Sequence, residues 1–184
     1  MIRRAFADTV RLHAAWVDAH ADQLAHAAQT MREALTSGGQ VLSFGNGGSA
    51  TDAQHLAGEL VVRFLKERRG LPAIALTADS AVLTAAGNDY GFDAVFARQV
   101  DALGRAGDIA FAITTSGRSA NVVRALETAR AKGLTTIALT GRDGGEAGRL
   151  ADVHLNVPSD STPRVQEVHR TILHVLCEVI EESV

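Results

Sequence analysis

Five short apolar runs alternate with longer segments of helical periodicity, and this alternation most constrains the fold. The runs lie at residues 40–44, 73–76, 108–114, 135–140 and 153–157. Apolar strands that alternate with helices indicate a parallel sheet, because parallel strands need long crossover connections that cover both faces. We therefore predict an α/β protein with a doubly wound, five-stranded parallel sheet flanked by helices.

The helical segments complete this pattern. Apolar residues recur at helical spacing near residues 50–66, 79–87, 92–105, 119–132 and 163–182. A helical extension over residues 2–37 precedes the first strand, and Ser37, Gly38 and Gly39 end it. A chain of 184 residues suits one domain with a substantial core, so we expect residues 1–184 to form a single domain.

Charge and cysteine content exclude several classes of function. Lys and Arg total 18 against 21 Asp and Glu, so the net charge of −3 provides no basic face for nucleic acid. We expect the tightest basic cluster, Arg63, Lys66, Arg68 and Arg69, to form a solvated or subunit-contact surface. The single cysteine, Cys177, lies in an apolar helical run and is predicted to be buried. Without a signal-peptide core or a long apolar span, we expect a cytoplasmic protein with no membrane partner.

Two loops at predicted strand ends are built alike. GNGGSA (45–50) follows the first strand, and TTSGRSAN (114–121) follows the third. Glycine permits close backbone approach, and each loop places a Ser that can cap the next helix. Backbone N–H groups, hydroxyls and a helix dipole together suit a phosphate. The loops therefore predict a phosphomonoester site at the carboxyl edge of the sheet.

The first loop also fits G-x-G-x-x-A, the glycine pattern of a dinucleotide-binding turn. That interpretation needs an acidic residue about 20 residues further on, at the end of the second strand. Position 70 is Gly, Asp79 lies too far along, and Glu67 precedes the second strand. A nucleotide is therefore disfavoured.

His55 and Glu59 lie four residues apart on the helix predicted after the first loop, so they share a face. An imidazole and a carboxylate at this spacing can bind a metal or act as a general acid/base pair. A solvent-facing His–Glu contact has the same spacing. The sequence alone leaves these alternatives open.

The last predicted helix carries Gln166 and His174 on an otherwise apolar stripe. A single His on such a face is commonly a packed core residue. Eight positions separate the two, so they can share an ion only by leaning together or by serving two subunits. We expect His169 and Glu167 to be surface or supporting groups.

Five segments carry a resemblance to a known family: GNGGSATDAQHLAGEL, GNDYGFDAVFARQV, TTSGRSANV, LTGRDGG and STPRVQEVHRTILH. In these segments the chain resembles the sugar isomerase (SIS) domain family, and within it the phosphoheptose isomerases. The resemblance implies an aldose–ketose isomerase that converts sedoheptulose 7-phosphate to D-glycero-D-manno-heptose 7-phosphate, the first step of nucleotide-activated heptose biosynthesis. It also implies a homotetramer with active sites at subunit contacts.

The resemblance implies roles for particular side chains. Glu59 would be the base that moves a proton between C1 and C2, with His174 as its acid/base partner. One Zn²⁺ per subunit would be held by His55, Glu59, Gln166 and His174. The implied sugar-phosphate contacts are Asn46, Gly47, Gly48, Ser49, Glu59, Asn88, Asp89, Thr114, Thr115, Ser116, Ser119 and Gln166. Because zinc weakens a bound carboxylate as a base, Glu59 would leave the metal or bind it loosely during turnover.

Two other functions stay open at this point. Some SIS proteins bind the bacterial replication initiator without catalysis, and they lack the catalytic carboxylate and histidine. An isomerase of another sugar phosphate, such as a pentose or hexosamine phosphate, is the second alternative. The presence of both Glu59 and His174 favours catalysis over the binding protein.

Overall fold

The computed structural model describes residues 1–182, which form a central parallel sheet with helices on both faces. The elements are α1 (Ile2–Thr36), β1 (Val41–Gly45), α2 (Gly48–Val61), β2 (Ala73–Ala75), α3 (Ser80–Tyr90), α4 (Val95–Leu103), β3 (Ile109–Thr114), α5 (Ala120–Ala131), β4 (Thr135–Gly141), α6 (Gly145–Leu150), β5 (Val153–Val157) and α7 (Thr162–Glu181). A 3₁₀ turn at Phe92–Ala94 leads into α4. None of the helices within residues 1–182 is long and apolar enough to cross a membrane.

The five strands run parallel in the order β2-β1-β3-β4-β5, which confirms the predicted doubly wound sheet. Val41 of β1 pairs with Ala73 on one side and Ile109 on the other. Every residue of β1 and β3 is buried, as expected for strands covered on both faces. The chain order reverses between β1 and β3, and ligands of such folds bind beyond the carboxyl ends of strands at this point.

Two hydrophobic cores hold the helices to the sheet. One packs α1, α2 and α7 against one face and includes Met31, Leu56 and Ile172. The other packs α4 and α5 against the opposite face and includes Phe96 and Leu126. Because α2 and α7 share the first core, their polar residues meet at one end of the sheet.

One predicted helix end is wrong, and one helix was not predicted. The helix predicted to reach residue 66 ends at Val61. The carboxylate of Glu181, at the far end of the chain, accepts hydrogen bonds from the backbone N–H groups of Phe64, Leu65 and Lys66 and holds this segment in another conformation. Helix α6 was not predicted, since its six residues are too few to show a period.

Arg68, expected in a surface cluster, and His169, expected as a surface or supporting group, both have buried side chains. Arg68, assigned to the basic surface cluster, has a side chain only 4% exposed because it pairs with Glu181. His169 is 0% exposed, and its Nε2 lies 2.9 Å from the backbone oxygen of Thr140. Burial lowers the pKa of His169 to about 4, although the hydrogen bond to Thr140 opposes the shift. Cys177 is buried as predicted.

Candidate active site

The two glycine loops meet where β1 and β3 end. Asn46 and Asn121 join them by two reciprocal side-chain hydrogen bonds, with N···O distances of 2.8 and 2.9 Å. Asn121, the last residue of the second loop, is 2% exposed and its side chain pairs with that of Asn46. A carboxamide can accept and donate further hydrogen bonds, so Asn46 keeps capacity for a ligand.

Hydroxyl groups cluster in the second loop. Thr114 Oγ1 lies 3.2 Å from Ser119 Oγ and 3.4 Å from Ser116 Oγ, and the backbone N–H of Arg118 donates to Ser116 Oγ. Gly117 makes the turn with φ +66°, and a Cβ built there would collide with the carbonyl of Gly144. The predicted phosphate-binding hydroxyls are therefore together, on a loop supported by the β4–α6 connection.

The expectation that serines cap the two helices is wrong. Ser119 occupies the position before α5, but its hydroxyl faces Thr114. Helix α2 begins after Gly47, whose φ is +58°. In the described part of the chain, no side chain caps either helix. The backbone N–H groups of Ser49 and Ala50 in α2, and of Val122 and Val123 in α5, already donate to loop carbonyls. The N–H groups before them in each helix are the ones that could face an anion from outside the loops.

His55, Glu59 and His174 form the chemical centre. The Nε2 atom of His55 lies 2.8 Å from Glu59 Oε1 and 3.2 Å from His174 Nε2. One ligand atom from each residue lies within 4.8 Å of those of the other two. The side chains of His55 and Glu59 are 27% and 25% exposed, which leaves them accessible to a small molecule.

Helices α2 and α7 bring this centre together. His55 and Glu59 are one turn apart on α2, and α7 presents His174 to them from the same chain. Phe64, in the segment held by Glu181, packs on the His174 ring with 5.5 Å between ring centroids. Neither of these supporting residues was expected, because the contact joins distant parts of the chain.

The other predicted site residues fall into two groups. Gln166 lies over the start of α2, where a Cβ on Gly48 would collide with its Nε2 atom. Asn88 and Asp89 lie in the last turn of α3 and are hydrogen-bonded to each other at 2.8 Å. Within residues 1–182, no hydrogen bond or ion pair joins these two to the His55 centre.

Arg170 contacts the centre and Asp52 holds Arg170, and neither residue was expected at the site. The guanidinium of Arg170 pairs with the carboxylate of Asp52, and its Nη1 lies 3.1 Å from His55 Nδ1. Both residues line a cavity of about 560 Å³ that also includes Gly48 and Gln166. Asp52 lies three residues before His55, so both lie on one face of α2. This spacing is the feature of the sequence that could have indicated Asp52 as part of the site.

The arrangement fits two kinds of chemistry. Two imidazoles and a carboxylate with converging ligand atoms are the donor set that Zn²⁺ takes in proteins. The same carboxylate and imidazole can also take up and return a proton. His55 and Glu59 lie on α2, the helix that follows the first glycine loop.

Known proteins match this chain along its whole length. The SIS domain family model matches residues 5–141. A phosphoheptose isomerase of Aquifex aeolicus is 53% identical over 183 residues, covering 100% of this chain and 96% of that protein. The structure of a phosphoheptose isomerase from Francisella tularensis has a TM-score of 0.96 at 43% identity, covering 99% of this chain and 97% of that one. That of the enzyme from Neisseria gonorrhoeae has a TM-score of 0.94 at 44% identity, covering 98% and 97%.

The SIS domain family model covers most of the chain, and the relative that matches over its full length is identical at about half of the aligned positions. The fold agrees with those of the solved relatives over nearly every residue. The chain therefore belongs to the SIS domain family, in the branch of the phosphoheptose isomerases.

Proposed function

We propose that this protein is an aldose–ketose isomerase that converts sedoheptulose 7-phosphate to D-glycero-D-manno-heptose 7-phosphate. The observation that carries the proposal is the meeting of Glu59 and His174 at one centre, in a chain whose two glycine loops also meet each other. The 53% identity to a phosphoheptose isomerase over the whole chain supports the same reaction.

In the proposed reaction, Glu59 removes a proton from C1 of the ketose and returns it to C2. An enediol lies between the two steps, and His174 moves protons between the oxygens on C1 and C2. Positioned general acid/base groups of this kind contribute about 10²–10⁴-fold to a rate. Phe64 against the His174 ring limits its rotation and so holds the imidazole toward Glu59.

The loop that contains Thr114, Ser116 and Ser119 binds the phosphate in this proposal, with Thr115 beside them. Neutral hydroxyls and backbone N–H groups can surround a phosphomonoester without a counter-cation. Gly47, Gly48 and Ser49 approach from the first loop. Asn88, Asp89 and Gln166 are proposed as further sugar contacts.

His55, Glu59 and His174 are the proposed holders of one Zn²⁺ per subunit, with Gln166 as the fourth ligand. The convergence of three ligand atoms supports this assignment. A bound zinc would polarise the sugar carbonyl and stabilise negative charge on its oxygen.

A homotetramer is the proposed assembly. Phe6, Val10 and Val17 of α1 are 71%, 66% and 47% exposed, an apolar stripe with a helical spacing. An apolar groove of about 310 Å³ continues it between α1 and α7. Exposed apolar surfaces of this kind commonly mark subunit contacts.

The alternative of a non-catalytic protein that binds the replication initiator is less well supported. Nothing in such a role calls for a carboxylate and two imidazoles that converge, with the Glu59 and His55 side chains 25% and 27% exposed. An isomerase of a different sugar phosphate would use the same centre and is distinguished only by substrate.

The decisive experiment follows aldose formation from sedoheptulose 7-phosphate by NMR, with and without added Zn²⁺. We expect conversion by the wild type and a loss of at least about 100-fold in Glu59→Gln. Glu67→Gln is the matched control, because the Glu67 side chain is 91% exposed. Undiminished turnover by Glu59→Gln removes Glu59 as the base. If well-folded wild type with added zinc converts no sedoheptulose 7-phosphate, the proposed substrate is wrong. The protein would then act on another sugar phosphate or have a binding role.

A further inference from the structure

Arg170 lies between two proposed metal ligands on α7. Gln166, Arg170 and His174 follow one another at intervals of four residues, so they share one side of the helix. That side faces α2, which carries Asp52 and His55. A cationic side chain thus occupies the middle of a stripe that is proposed to hold a cation.

One guanidinium bridges two groups of α2. It forms an ion pair with Asp52, whose side chain is only 3% exposed, and its Nη1 lies 3.1 Å from His55 Nδ1. A guanidinium can only donate hydrogen bonds, so this contact requires a lone pair on Nδ1. Neutral His55 then carries its proton on Nε2, which has Glu59 Oε1 as an acceptor at 2.8 Å.

Metal binding requires the opposite tautomer. The Nε2 atom of His55 faces both Glu59 and His174, so it is the atom that would bind a metal in this centre. A lone pair on Nε2 places the proton of neutral imidazole on Nδ1. That proton would point at the donors of Arg170. The Arg170–His55 contact and a metal on His55 Nε2 therefore exclude each other.

We propose that Arg170 is a positioning residue that competes with Zn²⁺ for His55. Anchored by Asp52, it holds the metal-free imidazole in the Nε2–H tautomer and must withdraw when metal binds. The consequence is a lower zinc affinity than the ligands alone would give. This inference rests on the metal site proposed above, and it concerns a residue outside the proposed ligand set.

Zinc affinity of the purified full chain tests the inference by competition with a chromophoric chelator. The proteins are wild type, Arg170→Met, Arg170→Lys and the control Arg124→Met, an exposed arginine of α5. The loss of a hydrogen bond that involves a charged group changes an equilibrium constant, here the dissociation constant for zinc, by about tenfold. We expect zinc to bind roughly tenfold more tightly to both Arg170 variants. Arg124→Met should match wild type.

The lysine variant separates the tautomer effect from simple charge. Lysine keeps the positive charge but lacks the planar fork that reaches two acceptors. Tighter binding by Arg170→Met alone would show a charge effect and overturn the proposal. Unchanged or weaker binding by both variants would also overturn it.

The tautomer itself is measured by ¹⁵N NMR of the metal-free proteins near pH 8. The His55 signals are assigned by their absence in His55→Ala. We expect an Nε2–H tautomer in wild type and a shift toward Nδ1–H in both Arg170 variants. The same tautomer in all three proteins contradicts the proposal. If no protein binds zinc, the metal site fails together with this inference, whereas equal affinities refute the inference alone.

Discussion

Arg68 and Glu181 form an ion pair in which both side chains are buried, with 3.2 Å between Arg68 Nε and Glu181 Oε1 and exposures of 4% and 2%. Arg68 also donates to the backbone oxygens of Glu59 and Leu60, at the end of α2. Burial alone would raise the pKa of Glu181, but hydrogen bonds from three backbone N–H groups and the charge of Arg68 lower it below its usual value. The pair therefore ties the helix that carries Glu59 to the end of α7.

Replacing Glu181 by Gln should destabilise the protein strongly. The change leaves the Arg68 charge buried without its partner, a situation that typically costs about 3–5 kcal/mol. Urea unfolding monitored by circular dichroism measures the free energy of unfolding. Glu178→Gln, an exposed position on the same helix, is the control. Equal stability of the two variants would show that the buried pair contributes little.

His169 should make stability depend on pH. In the unfolded chain its pKa is near the ordinary 6.5, whereas in the folded protein it is about 4. Between these values the unfolded state binds the extra proton, so the free energy of unfolding falls as the pH falls from 6.5 toward 4. At about 1.4 kcal/mol per pKa unit, the loss is about 3 kcal/mol.

The comparison variant is His169→Gln, which keeps a donor for the Thr140 oxygen and does not titrate. Its unfolding free energy, measured by urea titration from pH 7 to pH 4, should fall less than that of wild type. His154 adds a slope of the same sign in both proteins, since burial and then the nearby His20 lower its pKa. Identical pH profiles would exclude His169 as a source of the dependence.

Gly117→Ala should disrupt the proposed phosphate loop. The position has φ +66°, and a Cβ there would collide with backbone of Gly144. Gly38→Ala is a matched control, because Gly38 has φ +89° with nothing within 4 Å of its Cβ position. The control should lose about 1 kcal/mol from strain alone. Gly117→Ala should lose more and bind sedoheptulose 7-phosphate more weakly, as calorimetry would show. Equal effects in both variants would contradict the close loop packing.

His55→Ala should lower the zinc content of the purified protein. Removing a proposed ligand should weaken zinc binding by more than about 10-fold, the lower end of the effect for a supporting residue. Metal analysis after dialysis against a dilute zinc buffer measures the stoichiometry. His26→Ala, at an exposed position of α1, is the control. A normal zinc content in His55→Ala would remove this residue from the ligand set.

The framework could be predicted from the sequence because its signals are local. All five strands lie within a few residues of their predicted positions, since apolar runs of this length read directly as buried strands. The loops after β1 and β3 could be paired from the sequence because parallel strands end at one edge of the sheet. That His55 and Glu59 share one helix face followed from their four-residue spacing.

The features that could not be predicted depend on contacts between residues that are distant in the sequence. The end of α2 at Val61 is set by a carboxylate more than a hundred positions away, and no local signal marks it. From its neighbours in the sequence Arg68 is predicted to be a surface cation, and only its ion pair with Glu181 shows that its side chain is buried. Arg170 lies midway between Gln166 and His174 in the sequence, but only its approach to His55 shows its part in the site.

The reciprocal hydrogen bonds between Asn46 and Asn121 have a consequence for how the two loops can change over evolution. Each carboxamide satisfies a donor and an acceptor of the other, so replacing one leaves unpaired groups on its partner. A second replacement at the partner position then costs little more, and the two substitutions are strongly non-additive. Asn46 and Asn121, which are 75 residues apart, are therefore expected either to be replaced together or to be retained together.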